Sequence, residues 1–250
     1  MVVLTGIIGL IWGSFLNVVA YRIPRQESLL FPPSHCPNCD QRLGPIDLVP
    51  VLSFLLMRGR CRHCGQAISW QYPIVETLTG LGFAFIWLSI SPIKAIDLAL
   101  VVLHWLFFSL LLVIFIVDYK EMIIPDEFNI GIGVLAIIKM ILLQSYQQEL
   151  LGFAVCGATI LLIVILTNGM GMGDAKMFAV LGLWFGFKNG IFTLFLSIVL
   201  GAVLSVVLLA TKIKSKKDRI PFGPFISLAS TISIFFAEPI LAWYFQLFNF

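Results

Sequence analysis

Two sets of residues in this chain have the types and spacing to do chemistry. The first is cysteine. Cys36-Pro37-Asn38-Cys39 and Cys61-Arg62-His63-Cys64 are two C-x2-C pairs. Each pair continues alike, with Asp40-Gln41-Arg42-Leu43 after the first and Gly65-Gln66-Ala67-Ile68 after the second. This short internal repeat predicts two equivalent knuckles. Asp40 and Gly65 are residue types that tolerate the left-handed turn a knuckle needs. Four thiolates so placed suit one tetrahedral Zn2+, and with all four positions filled by protein the site is structural rather than catalytic. Two disulfides or four free thiols are the alternatives, and a cytoplasmic location disfavours persistent disulfides. His35 and His63 read as bystanders and Cys156 as a packing residue.

The second set is carboxylate. Asp118 ends the apolar run 111–117, where an acid at a helix C-terminus opposes the macrodipole. Asp174 follows Gly171-Met172-Gly173 and precedes Lys176 by two residues. A helix starting at Gly169 carries Asp174 inside an apolar segment, where an ionisable residue is costly and marks a functional site by default. Two such acids on one membrane face can share a proton, one activating water and the other protonating the scissile group. That is aspartic-protease chemistry. Asp126 follows Pro125 and reads as an ordinary helix N-cap. Glu76 reads as a dipole or capping charge. No Ser-His-Asp arrangement or Cys-His pair competes, and Gly169–Gly173 lacks the Lys-Ser/Thr ending of a phosphate loop.

The elements that must position these residues are membrane segments. Of the 250 residues, 60% are hydrophobic and 12% charged. Soluble domains are about 45–50% apolar and about 25% charged, so a soluble enzyme, a disordered chain and a fibrous chain are all excluded. The net charge of +3 lacks the dense basic face a nucleic-acid partner needs. Eight apolar segments stand out, at 2–21, 74–90, 95–117, 128–143, 150–167, 169–187, 191–211 and 222–245. The first is expected to be a retained helix, because Tyr21-Arg22 follows it where a cleaved signal would have small residues. With the N-terminus outside, the inside loops hold all but Lys94, Lys139 and Lys188 of the 16 basic residues, which fixes the orientation. The expected fold is therefore an all-α polytopic membrane protein of about eight transmembrane helices with a small cytoplasmic four-cysteine zinc insert. Its parts are a first helix at 1–21, the zinc-binding insert at 22–73, and a membrane-embedded core of about seven helices at 74–250.

In order along the chain, these residues resemble the type IV prepilin peptidase family of bifunctional membrane enzymes. The resemblance rests on Gly13-Ser14-Phe15-Leu16-Asn17 through Tyr21-Arg22-Ile23-Pro24, the two cysteine pairs, and Tyr72-Pro73-Ile74-Val75-Glu76. It continues with Asp118, with Pro125-Asp126 downstream, and with Gly171-Met172-Gly173-Asp174-Ala175-Lys176. It implies a GxGD-type aspartic protease in the bacterial inner membrane, with its site facing the cytoplasm. Asp118 and Asp174 would be the catalytic pair. Substrates would be prepilins or pseudopilins of pilus, secretion and competence systems, cleaved after a short basic leader. The new N-terminal residue would then be methylated with S-adenosyl-L-methionine, for which no site residue can be assigned. The rival readings are a peptidase without methyl transfer, a transporter with a zinc-bound module, and a membrane scaffold.

Overall fold

A computed structural model describes residues 1–167, 170–211 and 220–247. The long helices are α1 (Val2–Arg22), α3 (Gln71–Ile90), α4 (Ala95–Glu121), α5 (Asp126–Leu143), α6 (Tyr146–Thr167), α7 (Met172–Ala210) and α8 (Gly223–Leu247), with a short α2 (Leu52–Leu56) between α1 and α3. Among the described residues the only extended pairings are two isolated bridges, His35 with Arg42 and Arg60 with Ala67. Lipid offers backbone groups no hydrogen-bond partner, so a chain this apolar satisfies them within helices. Ile11, Leu81, Leu162, Phe195 and Val206 accordingly point outward.

Six of these helices, all but α2 and α5, are long and apolar enough to cross a membrane by length and composition. The eight expected segments are distributed differently. The segment at 128–143 is α5, whose 18 residues include Asp126, Glu127 and Lys139. Those at 169–187 and 191–211 are the two arms of α7, broken at Gly186 (φ 73°, ψ −179°). The chain folds back there. A Cβ built on Gly190 would lie 3.4 Å from the Gly182 Cα, whereas eight residues of straight helix span about 12 Å. Gly186 is the break because its positive φ strains any residue with a Cβ. The basic stretch 212–219, which carries much of the orientation argument, lies outside the described residues.

Contacts group the chain into two units, Met1–Ser109 and Leu110–Phe250. In the first, α1 lies along α3. Cβ atoms on Gly9 and Gly13 would come within 2.6 Å of the Thr79 carbonyl and 2.7 Å of the Glu76 Cα, so the two glycines, four residues apart, set the helix separation. At the end of α1 the buried Arg22 guanidinium donates to the Ser28 (2.8 Å) and Pro32 (2.6 Å) carbonyls and ties down the chain that leaves the helix. Trp105 of α4 stacks on Phe83 of α3, with ring centres 4.6 Å apart, and donates its indole N–H to the Phe83 carbonyl.

In the second unit α7 packs against α5, α6 and α8. Its first arm meets α6 backbone to backbone, since a Cβ on Gly182 would lie 2.2 Å from the Gly152 carbonyl oxygen. Lys139 of α5 donates to the Trp184 carbonyl at 2.7 Å and so occupies one of the acceptors freed where this arm ends. Gly182→Ala is expected to lose about 2 kcal/mol or more, as overpacking at a rigid contact does. Gly133→Ala, whose Cβ would rest 3.5 Å from the Val180 side chain, should be near neutral. Reversible unfolding in mixed micelles compares the two.

Candidate active site and metal centre

Asp118 and Asp174 are both buried, and both accept a hydrogen bond from the backbone amide at a helix start. Asp118 lies in the last turns of α4, on the face it shares with buried Ile114 and Val117. The amide of Gly223, the first residue of α8, donates to its Oδ2 at 2.7 Å. The unfavourable end of α4 is thereby offset by the favourable end of α8, whose first amides have no intrahelical acceptor. A Cβ on Gly223 would sit 2.6 Å from the same oxygen, so no larger residue fits without moving the carboxylate.

Asp174 occupies a different place from the one expected. The helix starts at Met172, with Gly171 as N-cap, so Asp174 is a first-turn residue. Its Oδ2 accepts the Gly171 amide at 3.0 Å while its own amide donates to the Gly171 carbonyl. An acid in this position stabilises a helix start. Gly173 presses on the segment that follows α4, where its Cβ would lie 3.3 Å from the Ile124 Cβ. The two carboxylates fall within electrostatic range of each other. Oδ1 of each has no hydrogen bond among the described residues.

Asp126 also departs from expectation. It is the first residue of α5, not the cap; Pro125 precedes it and no side-chain capping bond forms. Its carboxylate instead takes Lys176 Nζ at 2.8 Å on both oxygens, with both side chains at least half exposed. This pair joins the segment after Asp118 to the helix that bears Asp174. Glu76 is likewise not a cap of its own helix. It is buried in the second turn of α3 and accepts the Val51 amide at 2.7 Å. Gly223 is the residue that sequence reasoning missed. The available signal is Pro221-Phe222-Gly223-Pro224 at the head of an apolar run, a helix-start pattern with a glycine at its first turn.

The cysteine pairs fold as the repeat predicts. The Cys36 amide donates to the Gln41 carbonyl and the Asp40 amide to the Cys36 carbonyl. Cys61, Gln66 and Gly65 repeat both bonds. Asp40 (φ 52°) and Gly65 (φ 71°) supply the two left-handed turns. All four Sγ atoms lie within 4.8 Å of one another, and Cys36 and Cys64 are 3.9 Å apart. A tetrahedral site with Zn–S bonds of about 2.3 Å puts its sulfurs about 3.8 Å apart, so the donor set fits a soft divalent metal. Without a cation the thiols do not ionise alike. The Gln66 amide, with help from Asn38, draws Cys64 down to about 6. Cys39 also gains from an amide, that of Gln41, but desolvation and the Cys36 and Cys64 sulfurs outweigh it and push the thiol up to about 11. His35 turns its Nδ1 to the Pro33 carbonyl, at 3.0 Å.

These features define a helical, multi-pass membrane protein with a buried carboxylate pair and a four-cysteine module. Residues 7–90 match the family model for the bacterial peptidase A24 N-terminal domain, and residues 105–206 match that of the type IV leader peptidase family. A prepilin leader peptidase/N-methyltransferase of Bacillus subtilis (strain 168) is 34% identical over 244 residues, covering 96% of each chain. Proteins of the same name from Pseudomonas putida and Aeromonas salmonicida (strain A449) are 32% and 31% identical. The first match covers 100% of this chain and 95% of the relative, and the second 93% and 89%. No solved structure matches. The chain belongs to the type IV leader peptidase family.

Metal content is expected to follow the cysteines. Cys36→Ser should lower the metal bound per chain, measured by elemental analysis, and speed proteolysis of the insert, because ligation and folding are coupled in small modules. Acid should release metal in the unaltered protein, since protons compete for the thiolates.

Proposed function

We propose that this protein is a membrane aspartic endopeptidase that removes the short basic leader of type IV prepilins or pseudopilins and then N-methylates the new N-terminal residue. The observation that carries the reading is the pairing of Asp118 with Asp174, two buried acids on different helices within electrostatic range. In the proposed reaction the ionised member of the pair takes a proton from water as its oxygen attacks the scissile carbonyl carbon. The protonated member gives its proton to the carbonyl oxygen. Collapse of the tetrahedral intermediate breaks the C–N bond: the acid that took the water proton gives it to the departing nitrogen, and the other takes a hydroxyl proton as the carbonyl re-forms, so the pair again holds one proton. The two acids exchange roles within a shared titration, so the proton belongs to the pair. The membrane is the bacterial inner membrane, with the pair at its cytoplasmic face. This orientation is supported by the basic residues that gather in the loops on that side.

Cys36, Cys39, Cys61 and Cys64 would hold Zn2+, which supplies a cross-link for the insert and, with four protein ligands, no open position for substrate. S-adenosyl-L-methionine is the methyl donor that the family implies. The cavity beside α2 brings Arg58 and Arg60 but no carboxylate, which does not suit a sulfonium-bearing nucleoside.

Asp118→Asn and Asp174→Asn should each slow leader cleavage by at least about 10²–10⁴-fold, the worth of general acid–base help. Asp126→Asn should retain most activity, since an exposed ion pair contributes only about 0–1 kcal/mol. Timed cleavage of a leader-bearing pilin by the three purified variants checks this, and normal turnover by the Asp174 variant would sink the reading. The pH profile should be bell-shaped. Mass spectrometry of the product should find one added methyl group on its N-terminus.

Gly223→Ala should act on cleavage through Asp118. Its Cβ displaces a reacting carboxylate, and misplacement of about 1 Å can cost about 10²-fold. The same variant should keep its full metal content, which separates a displaced carboxylate from general misfolding.

A further inference from the structure

The short helix α2 is tied to the first turns of α3, a helix long and apolar enough to cross a membrane. The amide of Val51, at its start, donates to Glu76 in the second turn of α3. Phe54, in its middle, packs edge-on against Trp70 with ring centres 4.8 Å apart, and Trp70 immediately precedes α3. These two contacts, on both sides of the first turn of α3, hold α2 beside the start of that helix. Its outer face is nevertheless apolar. Leu52, Leu55 and Leu56 are exposed, Leu56 at 82%, and Trp70 at 66%. A turn through Arg58 (φ 53°) and Gly59 (φ 67°) then places Arg58 and Arg60 beside this face. Both are exposed, and neither has an ion pair or side-chain hydrogen bond among the described residues, whereas Arg62 pairs with Asp47 at 3.3 Å. Phe54, Leu55, Arg58, Arg60 and Trp70 line an open cavity of about 450 Å³.

We propose that α2 with Arg58 and Arg60 is a docking surface for anionic phospholipid, in the leaflet from which α3 begins. Continuity with the membrane that α3 crosses and the sign of the unpaired charge select this partner. The leucines and Trp70 enter the boundary between headgroups and acyl chains, as interfacial helices do. The arginines keep their stems along the apolar face and present planar forks to lipid phosphates. The cavity between ring and guanidinium gives one headgroup a seat.

The test uses the full-length protein in nanodiscs of phosphatidylcholine, alone or mixed with phosphatidylglycerol. Hydrogen exchange of residues 52–60 is the readout. Anionic lipid should slow exchange, by about fivefold for each arginine engaged. Arg58→Gln with Arg60→Gln should remove the lipid dependence, and Arg58→Lys with Arg60→Lys should retain most of it. Raising the salt on the unaltered protein, which needs no variant to fold, should erase the difference between the two lipids. Equal exchange in both lipids, or a difference that survives high salt or the double Gln substitution, would overturn the proposal.

Discussion

The hydrogen bond from the Gly223 amide to Asp118 is the constraint around which the second unit is arranged. A buried carboxylate must find donors, and in apolar surroundings an unpartnered one is costly. The side chains on the turn of α4 before Asp118, Ile114 and Val117 among them, are apolar, and the donor comes from the backbone. A helix start is the one place where regular structure leaves amides unspent, and α8 brings its start to this point. The chain before it is bound to extended or turn geometry by Pro221 and Pro224. Once the start of α8 is fixed, Ile226 and Ala229 on the following turns are buried in turn. Asp174 is held by the same device at the start of α7, where the donor is Gly171. Two acids are thus tolerated near a bilayer because each sits where a helix begins.

Much of this was legible in the residues, and the exceptions have a common cause. The cysteine module was legible because its rules are local. Ligand spacing, a repeated continuation and two residues suited to φ > 0 together specify both knuckles. Asp118 and Asp174 were found from their setting, but the local argument for each was incomplete. Asp118 looked placed against its helix dipole because α8, some hundred residues on, is invisible to a local reading; the hydrogen bond that answers it spans |i−j| = 105. Asp174 looked like an acid stranded inside a helix because the apolar run continues past the point where the helix begins. Asp126 shows the converse error. A carboxylate just after proline suits capping, yet a lysine from another helix, Lys176, competes for it and wins.

The break in α7 was legible as the gap between the segments at 169–187 and 191–211, but the residue that makes it was not. Hydropathy reports how apolar a stretch is, not which way it runs. Residues 172–210 read as enough apolar length for two crossings, but a reversal at Gly186 needs no polar loop. What it needs is a residue free to take φ 73° and partners close enough to hold the two arms together. Gly152, Gly182 and Gly190 provide the second requirement by letting backbone meet backbone. In lipid, association gains little from hydrophobic burial, so close packing carries more of the burden. The glycines of α6 and α7 are therefore as much a part of the site's support as the hydrogen bonds at its centre.

The two glycines before Asp174 are not equivalent, and the difference bears on the proposed chemistry. Gly173 is needed for packing: its missing side chain lets the turn approach Ile124, drawing Asp174 toward the segment that follows Asp118. Gly171 has no such reason. Its φ of −79° and ψ of 152° suit any residue, and an added Cβ would meet Asp174 Oδ2 at an ordinary 3.5 Å. Neither conformation nor packing among the described residues excludes a side chain there. What a side chain would occupy is the space beside the carboxylate. An extended substrate backbone must enter such a space if its scissile bond is to lie between two acids. Hydrolysis by a carboxylate pair thus supplies a reason for Gly171 that folding does not.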